Sequence, residues 1–189
     1  MKRKFKFDRS TEKYLITYYS ILDKMISGMT SAKLTDSISH NFIVQMIPHH
    51  KAAIEMSENI LKYTKNAQLK NIAEQIITEQ TKSIENMQNI KHKCSKLTNS
   101  KEELWQYQGK MDEIIQTMFA RMKCARSTNQ VDCDFMWEMI PHHMGAVEMA
   151  TTTLRHNICP QLVPILNAII KSQRKGIRQM EKLLQTLGC

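Results

Sequence analysis

A fifteen-residue segment occurs twice in this chain of 189 residues. Residues 42–56 read FIVQMIPHHKAAIEM and residues 135–149 read FMWEMIPHHMGAVEM, with nine of the fifteen positions identical. The same spacing of 93 residues continues without a gap on both sides, pairing Ile21 with Ile114, Met25 with Met118, and Ile84 with Ile177. This self-similarity predicts a duplicated unit of about ninety residues, larger than a short peptide motif.

Each unit contains three stretches in which apolar residues recur at steps of three and four, which is typical of amphipathic helices. In the first unit the stripes are Tyr14, Tyr18, Ile21, Met25 and Met29; Phe42, Met46, His49, Ala53, Met56 and Ile60; and Leu69, Ala73, Ile76, Gln80, Ile84 and Met87. Three such helices make a thin core alone, so two units must pack together. The sequence therefore predicts an all-α, ferritin-like helical bundle of two tandem three-helix repeats with pseudo-two-fold symmetry.

The composition agrees with a helical fold. Glycine (5) and proline (4) are scarce, which argues against a turn-rich β-sandwich. A polar stretch at residues 94–101 separates the two units and reads as a linker. We expect repeats over residues 1–95 and 96–189, packed as one compact domain.

The paired histidines are the chemically informative part of the motif. On a helix, Met46 lies three and four residues before His49 and His50, so both imidazoles lie near its thioether, and Met56 lies two turns beyond His49. The second copy repeats this layout with Met139, His142, His143 and Met149. Imidazole nitrogen and thioether sulfur together suit Cu(I), with another transition metal left open, whereas zinc gains little from methionine.

Two further sets of matched polar residues are candidates for supporting roles. Gln80 and Gln173 interrupt apolar stripes, and a buried amide needs a partner, so we expect each to orient a histidine. Glu55 and Glu148 are also paired by the repeat and would help to hold a harder metal.

A structural explanation competes with the metal site. Methionine is a flexible core residue, and a methionine stripe at helical spacing is typical of a packed interior. Pro48 and Pro141 are open to two interpretations, because a helix either begins there or is kinked there.

The charge pattern favours solvated helix faces over nucleic-acid binding. The net charge is +9, but the lysines are scattered, and the one dense basic run is Lys2, Arg3, Lys4 and Lys6. No apolar stretch follows this run and no run of about 18 apolar residues occurs, so neither a signal peptide nor a membrane span is predicted.

The five cysteines do not form a recognisable pattern. Their number is odd and no CxxC pair occurs, so we expect no disulfide framework, free thiols at Cys124 and Cys133, and a cytoplasmic location. Export stays open if a signal has been removed, and self-association into a homo-oligomer also stays open.

The second motif, with Asp132, residues 135–149 and the following Gln173, Ile177 and Met180, resembles the domain-of-unknown-function 305 family. The first copy fits through residues 42–56, Gln80, Ile84 and Met87, with Ser39 where the family pattern has aspartate. The resemblance implies a ferritin-like all-α fold and, more loosely, metal handling of the kind linked to copper binding and resistance.

Three functions follow from these observations. The first is a non-enzymatic protein that binds and buffers copper, at one site per repeat or one site shared between repeats. The second is a structural or interaction module with a basic surface and no metal. A ferritin-like metal oxidase is disfavoured, because the Glu-x-x-His pair of such sites does not occur in the sequence.

Overall fold

The computed structural model describes residues 6–189, and this range contains six α-helices and no strand. The helices are α1 (Arg9–Thr30), α2 (Ile38–Ile60), α3 (Ala67–Cys94), α4 (Lys101–Lys123), α5 (Val131–Thr153) and α6 (Leu162–Leu187). The predicted all-α class is confirmed. The basic residues Lys2, Arg3 and Lys4 lie outside the described residues. Within the described range, no helix is at once long enough and apolar enough to cross a bilayer.

Side-chain caps fix where most of the helices begin. In α1 to α4 the residue before the first turn accepts a hydrogen bond from the backbone N–H three residues later, at Asp8, Ser37, Asn66 and Ser100. Helix α5 has no such cap. Asn129, which lies near its start, instead accepts a hydrogen bond from the backbone N–H of Asp8, so it ties the two halves together.

The helices pack in the same order in both halves. Helix α2 packs against α1 and α3, and α5 packs against α4 and α6. The halves meet where α2 contacts α5 and where α3 contacts α6, so these four helices form the centre and α1 and α4 flank them. Helices α2 and α5 contain 23 residues each, and they occupy matching positions of the two units.

Methionine fills much of the core between these helices. Twelve methionines are at most 2% exposed: Met25, Met29, Met46, Met56, Met87, Met111, Met118, Met122, Met136, Met139, Met149 and Met180. The flexible thioether side chain packs well into irregular gaps of this kind. Burial alone therefore accounts for the position of most methionines, and any ligand role must rest on the histidines beside them.

Two disulfides hold α6 at both ends. Cys94 at the end of α3 is bonded to Cys159 in the loop before α6, and Cys133 at the start of α5 is bonded to Cys189 after α6. The predictions of a free thiol at Cys133 and of no disulfide framework are therefore wrong. The partners are 65 and 56 residues apart, so helix packing brings them together and no local spacing signals them. Cys124 is the free cysteine of the described residues, and it is exposed.

Candidate metal centre

The helices that carry the two motifs run through their prolines. Helix α2 begins at Ile38, well before Pro48, and α5 begins at Val131, well before Pro141. The interpretation that a helix starts at each proline is therefore wrong. Pro48 also sets the approach of α1, because a Cβ at Gly28 would lie 2.9 Å from the proline Cβ. Only glycine admits this close contact without displacing the proline ring.

The four motif histidines lie together where α2 crosses α5. Each is at most 2% exposed. The rings of His49 and His142 face each other, with centroids 3.6 Å apart and planes inclined by 30°. The rings of His50 and His143 lie 5.9 Å from those of their respective neighbours. The fold thus gathers both motifs into one cluster, which we call the four-histidine cluster.

The two central histidines bind each other's backbone. The Nε2 atom of His49 lies 3.2 Å from the carbonyl oxygen of His142, and the Nε2 atom of His142 lies 3.1 Å from the carbonyl oxygen of His49. A carbonyl only accepts hydrogen bonds, so Nε2 must carry the proton in both rings. Each neutral ring then presents a lone pair at Nδ1, and neither of these buried Nδ1 atoms has a hydrogen-bond partner.

The two outer histidines have different surroundings in the two halves. His50 Nε2 is hydrogen-bonded to the hydroxyl of Ser83 on α3 at 3.0 Å. The matching position on α6 is Gly176, where a Cβ would lie 2.9 Å from the ring of His143. The Nδ1 atoms of His50 and His143 are also buried without partners. Repeat one thus holds its outer imidazole with a hydroxyl, while repeat two packs a bare backbone against it.

Burial keeps the four imidazoles neutral. Desolvation lowers the pKa of His50 to about 3 and that of His142 to about 4. Desolvation, reinforced by the neighbouring imidazoles, holds the pKa values of His49 and His143 well below the ordinary value. Because a metal binds the deprotonated nitrogen, these histidines keep their donor atoms available at neutral pH.

The donor chemistry of the cluster fits a soft metal. Four buried Nδ1 atoms have no partner in the protein, and buried polar atoms normally have one. Met46 and Met139 lie one helical turn before the histidines, fully buried, and Met56 and Met149 lie further along the same helices. Within residues 6–189, however, no three or more His, Cys, Asp or Glu side chains converge as a ready metal-binding set. The fit therefore rests on the unpaired imidazole nitrogens.

Gln80 and Gln173 lie beside the cluster, on the wall of a cavity between α3 and α6 that also includes His50. Both side chains are buried, and neither hydrogen-bonds a histidine in the described part of the chain. The expected hydrogen bond between each glutamine amide and a histidine is thus absent from the described residues, although both glutamines lie beside the four-histidine cluster.

Glu55 and Glu148 do not join the cluster. Glu55 lies at the surface and forms an ion pair with Lys24 at 2.7 Å, and Glu148 is exposed. At about 100° of rotation per residue, a side chain five positions after His50 lies about 140° around the helix from it. The glutamates therefore lie on a different face of each helix from the histidines.

The second motif contains a buried carboxyl group that the repeat pattern does not predict. The hydroxyl of Tyr14 on α1 donates a 2.5 Å hydrogen bond to Glu138 on α5, and both residues are almost fully buried. Desolvation raises the pKa of Glu138 well above its ordinary value. The sequence feature that marks this carboxyl group is a difference between the two copies of the motif. Glu138 stands where the first copy has Gln45, in an otherwise apolar part of the repeat.

Solved structures with a similar fold include metal-bound forms of CopM. The chain is similar to CopM in its Ag-bound form, at 27% identity over 80% of this chain and 98% of that one, with a TM-score of 0.59. It is similar to CopM in its Cu(I)-bound form, at 26% identity over 82% and 99%, with a TM-score of 0.58. A DUF305 fragment from Deinococcus radiodurans, at 22% identity over 82% and 98% with a TM-score of 0.58, shares the fold.

No curated protein matches the chain. The family described as "Domain of unknown function (DUF305)" matches residues 39–184, which include both motifs and most of the six helices. The protein therefore belongs to the DUF305 family.

Proposed function

We propose that this protein is a non-enzymatic copper-binding protein that buffers Cu(I) at the four-histidine cluster. The observation that carries the proposal is the set of four buried Nδ1 atoms without partners, two of them on rings whose proton is fixed at Nε2. The similarity to CopM, solved with Cu(I), with Cu(II) and with Ag, supports the choice of ion. Because the two motifs meet, the geometry favours one shared site over one site per repeat.

Each residue of the motif has a role in this proposal. His49 and His142 supply Nδ1 lone pairs, while their Nε2–H groups stay bonded to the opposite backbone and hold the rings in place. His50 and His143 supply further nitrogens. Met46 and Met139 supply thioether sulfur, which favours Cu(I) over a harder ion, and Met56 and Met149 are candidates for the same task.

A structural role for the histidines is the competing function, and one observation favours it. The reciprocal His49–His142 hydrogen bonds join α2 to α5 without any metal. A helical module held together by this contact would have no use for the unpaired Nδ1 atoms. It would melt at the same temperature with and without metal, because only an ion that binds the folded state stabilises it.

Metal titration separates the two functions. Metal-free protein is titrated anaerobically with Cu(I) against a competing chelator, and copper content and melting temperature are recorded. We expect bound copper and a higher melting temperature in the wild type, and loss of both when His49 and His142 are changed together to Ala. The matched control is His92→Ala, an exposed histidine on α3. Equal copper content in the double variant and the wild type would contradict the proposal.

A conservative variant covers the case in which the double substitution unfolds the protein. Met46→Leu with Met139→Leu preserves side-chain volume in the core, and swaps of this kind usually cost less than about 1.5 kcal/mol. We expect this variant to fold and to bind Cu(I) more weakly than the wild type. Unchanged affinity would remove the thioethers of Met46 and Met139 from the proposed ligand set.

The disulfides support placing this function in an oxidising compartment. Disulfides persist in secreted and periplasmic proteins and are rare in the reducing cytoplasm. We therefore propose an exported location in place of the cytoplasmic one expected from the cysteine count. Thiol alkylation and mass measurement of protein taken directly from cells test this, with one free thiol, at Cys124, as the expected result. Five free thiols would contradict it.

A further inference from the structure

A cavity of about 250 Å³ lies between the second half of α3 and the first half of α6. Its wall includes His50, Gln80, Ser83, Ile169, Ser172 and Gln173. It therefore joins a member of the four-histidine cluster to a space with room for several water molecules at about 30 Å³ each.

The amides on the cavity wall lack protein partners. Both polar atoms of the Gln80 side chain and the Oε1 atom of Gln173 are buried without a hydrogen bond. Gln80 is 2% exposed and Gln173 is 3% exposed, so bulk solvent does not satisfy them. Buried amides of this kind bind water or a polar ligand inside the cavity, because leaving them unpaired is costly.

The cavity meets the cluster at a specific hydrogen bond. Ser83 and His50 both line it, and the Ser83 hydroxyl lies 3.0 Å from His50 Nε2. His50 is thus the histidine of the cluster that an ion in the cavity meets first, and the Ser83 hydrogen bond to its ring can be exchanged.

The matching position of the other half has no hydroxyl group. Gly176 replaces Ser83 there, and its backbone packs so tightly on His143 that even a Cβ would come within 2.9 Å of the ring. His143 is also not part of the cavity wall. The two halves therefore present the cluster differently, although their motifs are alike.

We propose that the α3–α6 cavity is a hydrated vestibule through which the metal ion reaches the cluster, entering at His50. This inference rests on the proposed copper function and adds the route and the form of the cargo. A space of this size admits an aqua ion or an ion carried by a small ligand. The protein would then take up its metal ion directly from small-molecule complexes, without binding a second protein that delivers the ion.

Plugging the cavity tests the route. Ala168 lies on α6, lines the cavity and is exposed, so Ala168→Trp adds a large ring there without disturbing the core. The matched control is Asn167→Trp, at the preceding exposed position of α6, which is outside the cavity. Ser172→Phe narrows the same space from the next turn of α6 and serves as a second plug.

The readout is the rate of anaerobic Cu(I) uptake from a small-molecule chelator, measured together with the final copper content. We expect Ala168→Trp and Ser172→Phe to slow uptake by about tenfold or more while the final content stays unchanged, because packed interiors exclude even small solutes. Asn167→Trp should load at the wild-type rate.

Different results would contradict the copper-binding function and the vestibule. Wild-type protein that takes up no copper would contradict the proposed function. Wild-type protein that loads normally, with both plugged variants loading at the same rate, would contradict the vestibule alone. Slowing by Asn167→Trp to the same extent would also contradict it, since the effect would then not depend on the cavity.

Discussion

Tyr14 on α1 and Glu138 on α5 form a buried hydrogen bond of 2.5 Å between the two halves of the chain. The second carboxylate oxygen of Glu138 is buried without a partner. Asp134 lies one turn before Glu138, and its negative charge adds to desolvation in raising the pKa of Glu138. The folded protein therefore favours the protonated form of this carboxyl group.

The first prediction concerns Glu138→Gln. A raised pKa in the folded state means that the group's contribution to stability is complete below the unfolded pKa and is lost as pH rises toward the folded pKa. Glutamine keeps the acceptor for Tyr14 and never ionises. We expect the variant to gain stability over the wild type as pH rises from 4 to 8, by up to about 1.4 kcal/mol per pH unit. Urea unfolding at several pH values measures this, and a pH-independent difference would contradict it.

The second prediction concerns the buried histidines in metal-free protein. Their lowered pKa values mean that the unfolded chain binds more protons than the folded one below pH 6.5, so stability falls as the medium is acidified. The window extends from about pH 6.5 down to about 4 for His142 and about 3 for His50. Each histidine adds up to about 1.4 kcal/mol per pH unit. Urea midpoints should fall steeply below pH 6.5, and His142→Asn should make the dependence shallower, whereas His92→Ala should leave it unchanged.

The third prediction compares two helical glycines. Gly176→Ala places a methyl group 2.9 Å from the His143 ring, whereas a Cβ at Gly109 meets nothing within 4 Å. Overpacking costs about 1–3 kcal/mol, and replacing an exposed helical glycine with alanine gains about 0.5–1 kcal/mol. The free energies of unfolding of the two variants should therefore change in opposite directions. A gain at both positions would show that the His143 ring moves aside freely.

The fourth prediction concerns the disulfide that joins the halves. Changing Cys94 and Cys159 together to Ser opens a bridge across 65 residues, and chain-entropy arguments assign a bridge of that span about 4 kcal/mol. We expect a large drop in the denaturation midpoint under oxidising conditions and a small difference once the wild type is reduced. Cys124→Ser is the control, since that thiol is exposed and unbonded.

The helices and the equivalence of the two motifs were predictable because their signals are local or repeated. The apolar period of three and four residues identified the helices, and the 93-residue spacing identified His49 with His142 as equivalents. That these two rings stack on each other depends on how α2 crosses α5, and no pattern within either copy encodes the crossing. The ferritin-like relationship predicted from the helix pattern remains a prediction.

The features that sequence missed all depend on distant contacts. Cys94 and Cys159 carry no spacing signal, and Tyr14 is 124 residues from Glu138. The repeated motif places Glu55 in the same string as the histidines, but helix rotation places its side chain beside Lys24 at the surface. The angular position of a residue on its helix is thus a better guide to a shared site than its presence in the same repeated motif.

The reciprocal His49–His142 contact means that neither copy of the motif is complete by itself. Each imidazole is oriented by a carbonyl oxygen that only the other copy provides. A chain with a single copy would have to find a second molecule before its histidines were held in this way, and its readiness to bind an ion would vary with its own concentration. Covalent linkage of the two copies removes that dependence, so the histidines of this protein are oriented in the same way at low and at high protein concentration.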